Sequence, residues 1–228
     1  MGAQAQDQLV LAAQQALLEA KFAASGKPGF QSLMVDAFAE IVDTFGAEAA
    51  YAARDYVMLD YAARGEVLRA PQVDLAAPVL EQADSTARWA VYGANEGFGG
   101  EALARLQGSL TRLVLQPYRD TVLDAVGDHG RRTKTAVARV PEVGACAFCR
   151  MLASRGAVYG SAESAQVRKD GKSYHDNCRC STQIAFVDGR DLPKSVRTLE
   201  LEWERFASET DSLTLKSYER WLKEGRAQ

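Results

Sequence analysis

The sequence predicts a mainly α-helical protein that carries a small α+β module and ends in further helices. Apolar residues recur every three or four positions through residues 1–127, which is the periodicity of helices that bury one face. Apolar and polar residues alternate instead at 135–140 and 181–187, as they do in half-buried strands. Helical spacing then returns at 195–224.

Five helices are predicted in the N-terminal part, and each has an apolar stripe. Pro28 lies near the start of the second helix, and Gly46 lies just beyond its last apolar residue, so we expect that helix to end there. The third helix is expected to end at Gly65. Pro117 should kink or end the fifth helix, with a short continuation over 122–126. The five segments are 10–20, 30–45, 47–64, 80–91 and 103–113.

The helical pattern of apolar residues ends at residue 127, where a polar stretch begins. One or two helical turns are expected at 146–155, ended by Gly156, and Asp170-Gly171 is typical of a turn between short strands. These signals predict three segments. They are a helical body over 1–127, an α+β module over 128–190 and a C-terminal helical segment over 191–228.

The C-terminal segment has two apolar stripes at helical spacing, one containing Trp203 and Phe206 and the other Tyr218 and Trp221. We expect these side chains in the core. The alternative is that the small module cannot bury them, in which case they would anchor a partner, because aromatic residues dominate interface energetics.

The composition is that of an ordinary globular protein. Of the 228 residues, 47% are hydrophobic and 25% charged, which excludes a wholly disordered chain. No apolar run is long enough to span a membrane, and the N-terminus lacks the basic and apolar blocks of a secretion signal. We therefore expect synthesis in a reducing cytosol, where cysteines serve purposes other than disulfides.

Charge is unevenly distributed, with a net charge of −7 over residues 1–100 and +5 over 101–190. A basic string opens the predicted α+β module. It consists of Arg131, Arg132, Lys134 and Arg139. Such a string can contact nucleic acid or an acidic protein surface, and the alternative is a solvated linker.

All four cysteines and one of the two histidines fall within 35 residues. Cys146 and Cys149 form a C-x2-C pair, and 25 residues later His175 opens an H-x2-C-x-C sequence with Cys178 and Cys180. Two ligand-bearing segments of this kind, supplied by separate loops, are typical of a structural tetrahedral zinc site. Such a site would stabilise a module that has few large apolar residues. Five candidates compete for four positions. Either the four cysteines bind the ion and His175 lies next to these ligands without binding it, or His175 binds the ion and Cys178 or Cys180 does not.

Other interpretations of the cluster stay open at this point. A Cys146–Cys149 disulfide would indicate redox chemistry, and the thiols could also be unliganded. A catalytic zinc site is the remaining alternative. The zinc deaminase pattern fails, because His175 follows the C-x2-C pair and Asn177 stands where the glutamate would be. A metal-dependent nuclease would need further histidines or aspartates at a second metal, and His129 is the only other histidine.

Four stretches resemble the Mu F-like minor head proteins of tailed bacteriophages, in particular the actinobacteriophage branch. They are Arg139-Val140-Pro141, Gly144-Ala145-Cys146-Ala147-Phe148-Cys149, Met151-Leu152-Ala153-Ser154-Arg155-Gly156-Ala157-Val158-Tyr159 and Tyr174-His175-Asp176-Asn177-Cys178-Arg179-Cys180. That family combines a helical N-terminal region with a module ending in H-x-N-C-x-C. The resemblance implies a virion or procapsid protein made in the bacterial host cytoplasm. It implies the portal protein and the major capsid protein as partners, with packaged DNA as a further candidate.

Many members of that family are labelled capsid maturation protease, which makes proteolysis the alternative activity. A serine nucleophile needs a base within hydrogen-bond reach. His175 is committed to the metal or its surroundings, and no G-x-S-x-G motif is present. A dyad of Ser154, Ser161 or Ser164 with Lys169 or Lys172 stays open. We expect a structural role and assign no catalytic residue.

Overall fold

The computed structural model describes residues 3–92, 100–160, 178 and 180–225, and these form a mainly α-helical protein with a small antiparallel sheet. The predicted fold class is confirmed. The helices are α1 (Ala3–Ala24), α2 (Phe30–Ala63), α3 (Leu80–Tyr92), α4 (Gly100–Thr133), α5 (Ala147–Ala153), α6 (Lys194–Glu209) and α7 (Leu215–Lys223). The strands are β1 (Thr135–Val140) and β2 (Ser181–Phe186), and one 3-10 turn covers Ala70–Gln72.

The chain divides into two compact units. The first consists of Met1–Thr121 with Gln166–Arg179, and the second of Val122–Ala165 with Cys180–Gln228. The boundary after Thr121 falls inside α4. The boundaries predicted from the sequence, at residues 127 and 190, stay predictions.

The core of the first unit is built from one face of each of its helices. α2 packs against both α1 and α3. The buried face of α3 consists mainly of alanines, and small side chains allow neighbouring helices to approach closely. The buried core residues are Ala13, Leu17, Ala24, Met34, Val35, Phe38, Ile41, Val42, Ala83, Ala87, Ala90, Val91, Leu106, Leu110, Leu113 and Val114.

The helix break predicted at Gly46 is wrong. α2 runs without interruption from Phe30 to Ala63. A Cβ atom added at Gly46 would lie 3.3 Å from Cβ of Pro78 and 3.4 Å from Cγ of Pro117. Glycine therefore stands at this position because two proline rings approach the backbone of α2, and the apolar stripe on both sides keeps the helix continuous.

The helix end predicted at Gly65 is confirmed. Gly65 adopts φ +85°, the left-handed conformation that glycine enters without strain. Its N–H donates to the carbonyl of Ala62 at 3.0 Å, and the N–H of Glu66 donates to that of Tyr61 at 2.8 Å. These two bonds satisfy carbonyls that the last turn of α2 leaves without helical donors.

Pro117 does not end the fifth predicted helix, because α4 continues through it to Thr133. The short continuation predicted over 122–126 is therefore part of one 34-residue helix. Val114, Leu115 and Tyr118 around the proline are all at most 1% exposed. Their burial offsets the backbone hydrogen bond that proline cannot donate.

The second unit contains the sheet, and both strands predicted from alternation are confirmed. β1 and β2 pair antiparallel, with Val137 opposite Ile184 and Val140 opposite Ser181. Val137 also exchanges backbone hydrogen bonds with Tyr159, at 2.7 and 3.1 Å, on its other side. The short helix predicted before Gly156 is α5, and Gly156 follows it with φ +69°.

The C-terminal helices bury the aromatic side chains that the sequence placed in the core. Phe206 lies within 5.1 Å of both Trp203 and Tyr218, measured between ring centroids, and 5.8 Å from Trp221. Ala147 and Met151 of α5 pack against the same cluster. The expectation of core packing is confirmed for Phe206, Tyr218 and Trp221, which are 0–4% exposed.

Among the described residues, no helix combines the length and apolar character needed to cross a lipid bilayer.

Candidate metal centre

Three of the predicted ligands lie together in the second half of the chain. The Sγ atoms of Cys149, Cys178 and Cys180 are all within 4.8 Å of one another. All three residues are buried, with 1–3% of their surface exposed. The four cysteines are thiols, with no disulfide among them, so the redox-disulfide interpretation has no support in the described structure.

Cys149 is positioned by the first turn of α5. Cys146 stands at the N-cap of this helix with extended backbone, φ −64° and ψ 159°, and the N–H of Arg150 donates to its carbonyl at 3.0 Å. Cys149 follows three residues later on the buried side of the helix. The C-x2-C spacing thus forms the start of a helix, and only its second cysteine is buried.

Tyr159 attaches α5 to the sheet. Its hydroxyl donates to the carbonyl of Leu152 at 2.7 Å, and its backbone pairs with Val137 of β1. The side chain is 2% exposed. A buried hydroxyl that satisfies a helix-terminal carbonyl fixes the C-terminal end of α5 against β1.

An ion-paired network attaches α5 to the two C-terminal helices. Arg150 Nε donates to Glu202 Oε1 at 3.1 Å, and Arg150 Nη2 and the Tyr218 hydroxyl also donate to that carboxylate. The Glu202 side chain is only 9% exposed. Burial raises the pKa of Tyr218, and its hydrogen bond to Glu202 raises it further, so the hydroxyl stays protonated as a donor at neutral pH.

Cys180 and Cys178 reach the cluster from the start of β2. Cys180 immediately precedes the first residue of that strand, and pairing with β1 fixes its position. Arg119 donates from Nη2 to the carbonyl of Cys178 at 2.8 Å. The hydrogen bond fixes the backbone of Cys178, and the register of the sheet fixes that of Cys180.

The donor set fits a thiophilic divalent ion. Tetrahedral zinc with Zn–S bonds of about 2.3 Å holds its sulfur ligands about 3.8 Å apart, which lies inside the 4.8 Å limit that all three thiols meet. Three buried sulfurs without hard oxygen donors match the ligands of structural zinc rather than those of calcium or magnesium. The cluster is therefore compatible with a metal site.

The other two predicted ligands stand apart from this group. Cys146 is exposed and is not one of the three clustered thiols. His175 lies outside the described residues, as do Ser161, Ser164, Lys169, Lys172 and the predicted turn at Asp170-Gly171. Both Cys146 and His175 stay predicted ligands.

The four residues of the basic string differ in their exposure to solvent. Arg131 and Arg132 are exposed at the end of α4, and Lys134 is exposed in the turn before β1 with φ +56°. Arg139 is 1% exposed within β1. Three of the four predicted contact residues are thus accessible to a partner, and Arg139 lies in the interior.

Arg119 and Glu202 were not singled out from the sequence. A signal for Arg119 was available, since Leu115, Arg119, Val122 and Val126 follow one helical stripe on which arginine is the only charged residue. Glu202 gave no comparable signal, because α6 carries four glutamates and only packing distinguishes the buried one.

Ser154, the described member of the three candidate serines, has a structural use. Its hydroxyl donates to the carbonyl of Met151 at 2.8 Å at the C-terminal end of α5. This is a helix-terminating hydrogen bond, which is typical of serine at that position.

One family model, described as VG15 protein, matches residues 3–205 of the chain. The match begins in α1 and ends in α6, so it includes the whole cysteine cluster. No curated protein and no solved structure shows a significant match.

Proposed function

We propose that this chain, which belongs to the VG15 protein family, is a minor head protein of a tailed phage that associates with the portal. Its role is in head assembly or DNA delivery. The family indicates a phage-encoded protein, and the match over residues 3–205 is the observation that carries the proposal. The resemblance of 144–149 and 174–180 to Mu F-like proteins supports the finer assignment to the head.

The exposed cations at the end of α4 support a partner of opposite charge. Arg131, Arg132 and Lys134 are consecutive or nearly so and all accessible. An acidic surface of the portal protein or the phosphates of packaged DNA would gain from this charge, and either contact would weaken as salt increases. We assign the contact to the portal, because the net charge of the string is small for a DNA-binding surface.

The cysteine centre supports a zinc-stabilised module within this protein. We assign Cys149, Cys178 and Cys180 as three zinc ligands, with His175 or Cys146 as the fourth. When bound, zinc supplies a rigid cross-link between α5 and the segment before β2. Tyr159 and Glu202 hold α5 in place, and the register of the sheet holds the segment before β2.

Metal analysis of the purified full chain tests the zinc assignment. We expect about one equivalent of zinc per chain and thiols that react with a disulfide reagent only after chelation. Less than about half an equivalent, with all thiols reactive from the start, would contradict it. Cys146→Ser and His175→Ala, each measured for zinc content and affinity, identify the fourth ligand, because its loss weakens zinc binding more.

Assembly in the host tests the head role. The chain is produced together with the portal and major capsid proteins of its phage, and procapsids are purified and examined for the chain. We expect it in particles that contain the portal and not in particles assembled without it. Recovery of portal-containing particles that never include the chain would contradict the proposal.

Charge reversal tests the proposed portal contact. The triple variant Arg131→Glu, Arg132→Glu, Lys134→Glu should lose incorporation by about tenfold or more, while the control Arg88→Glu, on an exposed face of α3, should not. Unchanged incorporation of the triple variant would place the contact elsewhere. If portal binding persists and affinity for DNA falls instead, DNA is the partner of the string.

Capsid cleavage separates the structural role from proteolysis. Incubation with the major capsid protein should leave that protein intact, and Ser154→Ala, Ser161→Ala and Ser164→Ala should each assemble as wild type does. Cleavage by wild type that one of these serine variants abolishes would establish a protease instead.

A further inference from the structure

Arg119 is a charged residue in an unusual place. It lies in α4 and is 1% exposed, although arginine side chains are almost never fully buried without a specific reason. Leu115 and Val122, one turn away on either side along the helix, are 1% and 0% exposed. Burying a guanidinium among such neighbours is costly unless it makes specific polar interactions.

One of those interactions reaches a proposed zinc ligand. Arg119 Nη2 donates to the backbone carbonyl of Cys178 at 2.8 Å. A guanidinium is planar and presents its donors in a rigid fork, so a single hydrogen bond already restricts the orientation of the peptide it holds. The position of the Cys178 carbonyl in turn restricts where the Cys178 side chain can point.

The charge of Arg119 matches what the centre would carry. Three thiolates and one divalent ion leave a net negative charge, and a fourth thiolate would increase it. A buried guanidinium beside such a centre stabilises it, because Coulomb interactions are strong where water is excluded.

We propose that Arg119 is a positioning residue of the cysteine centre, which fixes the Cys178 ligand through its carbonyl and offsets the charge of the metal–thiolate group. This inference rests on the proposed zinc site. Residues that orient metal ligands from behind change metal affinity by about 10- to 100-fold when they are replaced.

The test compares Arg119→Met, Arg119→Lys and wild type in the full chain. Zinc affinity is measured by competition with a chromophoric chelator, and the cobalt-loaded protein gives a sulfur-to-metal charge-transfer spectrum. We expect about 10- to 100-fold weaker zinc binding and an altered cobalt spectrum for Arg119→Met. Arg119→Lys, which keeps the charge and a donor, should lie between the two.

Leu115→Ala is the matched control, since it removes a buried side chain one turn away on the same helix without touching the Cys178 carbonyl. It should lower stability and leave the cobalt spectrum unchanged. Wild-type zinc affinity and spectrum in Arg119→Met would overturn the proposal, as would the same spectral change in Leu115→Ala.

If Arg119→Met does not fold, the rate of zinc transfer to the chelator from Arg119→Lys decides, and a wild-type rate overturns the proposal. Failure of the zinc assignment itself is distinguishable. In that case wild type binds no zinc, whereas failure of this inference leaves wild type and the variants with equal affinity.

Discussion

Each of the two units is stabilised internally by a different kind of contact. The described core of the first unit consists of leucine, isoleucine, valine, phenylalanine, methionine and alanine side chains from four helices. One face of the sheet in the second unit is lined by four alanines instead, Ala136, Ala138, Ala157 and Ala185. Burying a large apolar side chain contributes about 1.5–3 kcal/mol, whereas an alanine contributes one methyl group.

The second unit has a separate aromatic cluster of Phe206, Tyr218 and Trp221, and its alanine-lined sheet is held by specific contacts. Tyr159 connects α5 to β1, and the carboxylate of Glu202 in α6 accepts hydrogen bonds from Arg150 of α5 and Tyr218 of α7. Each of these contacts depends on two or three particular atoms. The sheet of the second unit should therefore be more sensitive to loss of a single polar contact than the helical core of the first unit.

The largest effect is expected from removing a clustered thiol. Because structural zinc contributes on the order of 10 kcal/mol to the folding of small modules, we expect Cys149→Ser to destabilise the second unit by on the order of 5 kcal/mol in zinc. Hydrogen exchange should show lost protection in β1 and β2, with α2 unaffected. After chelation, wild type and variant should be equally stable, and a difference that persists there would contradict the prediction.

The corresponding test in the first unit creates a cavity in its helical core. Phe38 is fully buried in the helical core, and Phe38→Ala should lower the free energy of unfolding by about 4 kcal/mol through lost burial and the cavity left behind. Urea unfolding with and without a zinc chelator measures it. We expect the same loss in both conditions, and a loss that depends on the chelator would break the distinction between the units.

A smaller effect is expected from the network around Glu202. Glu202→Gln removes the charge that faces Arg150 while keeping its shape, and we expect a loss of about 2 kcal/mol, because the carboxylate is largely shielded from water. Arg205→Gln, which breaks the exposed pair with Glu209 on the same helix, is the control and should cost less than about 0.5 kcal/mol. Equal losses in thermal unfolding would refute the role assigned to burial.

The smallest effect concerns alkaline pH, where the two units should behave alike. Burial raises the pKa of Tyr118 in the first unit, with Tyr56 nearby raising it further, and burial likewise raises that of Tyr218 in the second. The folded protein therefore keeps protons that the unfolded chain loses near pH 10. This contribution to stability is complete below that pH and is lost as pH rises toward the folded-state pKa.

Tyr118→Phe should make the unfolding free energy fall less steeply above pH 10, by up to about 1.4 kcal/mol per pH unit, and leave it nearly unchanged at pH 7. Urea unfolding at several pH values measures this slope. A slope identical to that of wild type would show that Tyr118 loses its proton in the folded and unfolded states alike.

The elements predicted best were those whose signal is local. β1 follows from alternation at 135–140 and the proline after it, and α3 from its apolar spacing. α2 does not end at Gly46, where an end was predicted, and α4 does not end at Pro117, where an end was one of the two predicted outcomes, and both results have one cause. Glycine and proline each disfavour a helix by themselves, but Gly46 of α2 and Pro117 of α4 lie against each other here. The residues adjacent to each position in the sequence do not reveal this contact between distant segments.

The candidate site also has features that follow from local sequence and features that depend on burial. Spacing alone singled out the four cysteines as candidate ligands, and the structure brings the Sγ atoms of three of them within 4.8 Å of one another. Spacing gave no reason to separate Cys146 from Cys149, because the C-x2-C pattern treats them alike, and only the burial of one side of α5 distinguishes them. The exposed and buried members of the basic string are distinguished for the same reason, since Arg139 belongs to a strand that is covered.

The sequence by itself determined the helical character, both strands and the residue types gathered near the cysteines, since these depend on periodicity and on chemistry that each residue carries with it. The tertiary structure alone decided which helix breakers are tolerated, which thiols lie together, and that Arg119 contacts the Cys178 carbonyl and Glu202 binds Arg150. Those outcomes depend on burial, and burial is set by segments far apart in the chain.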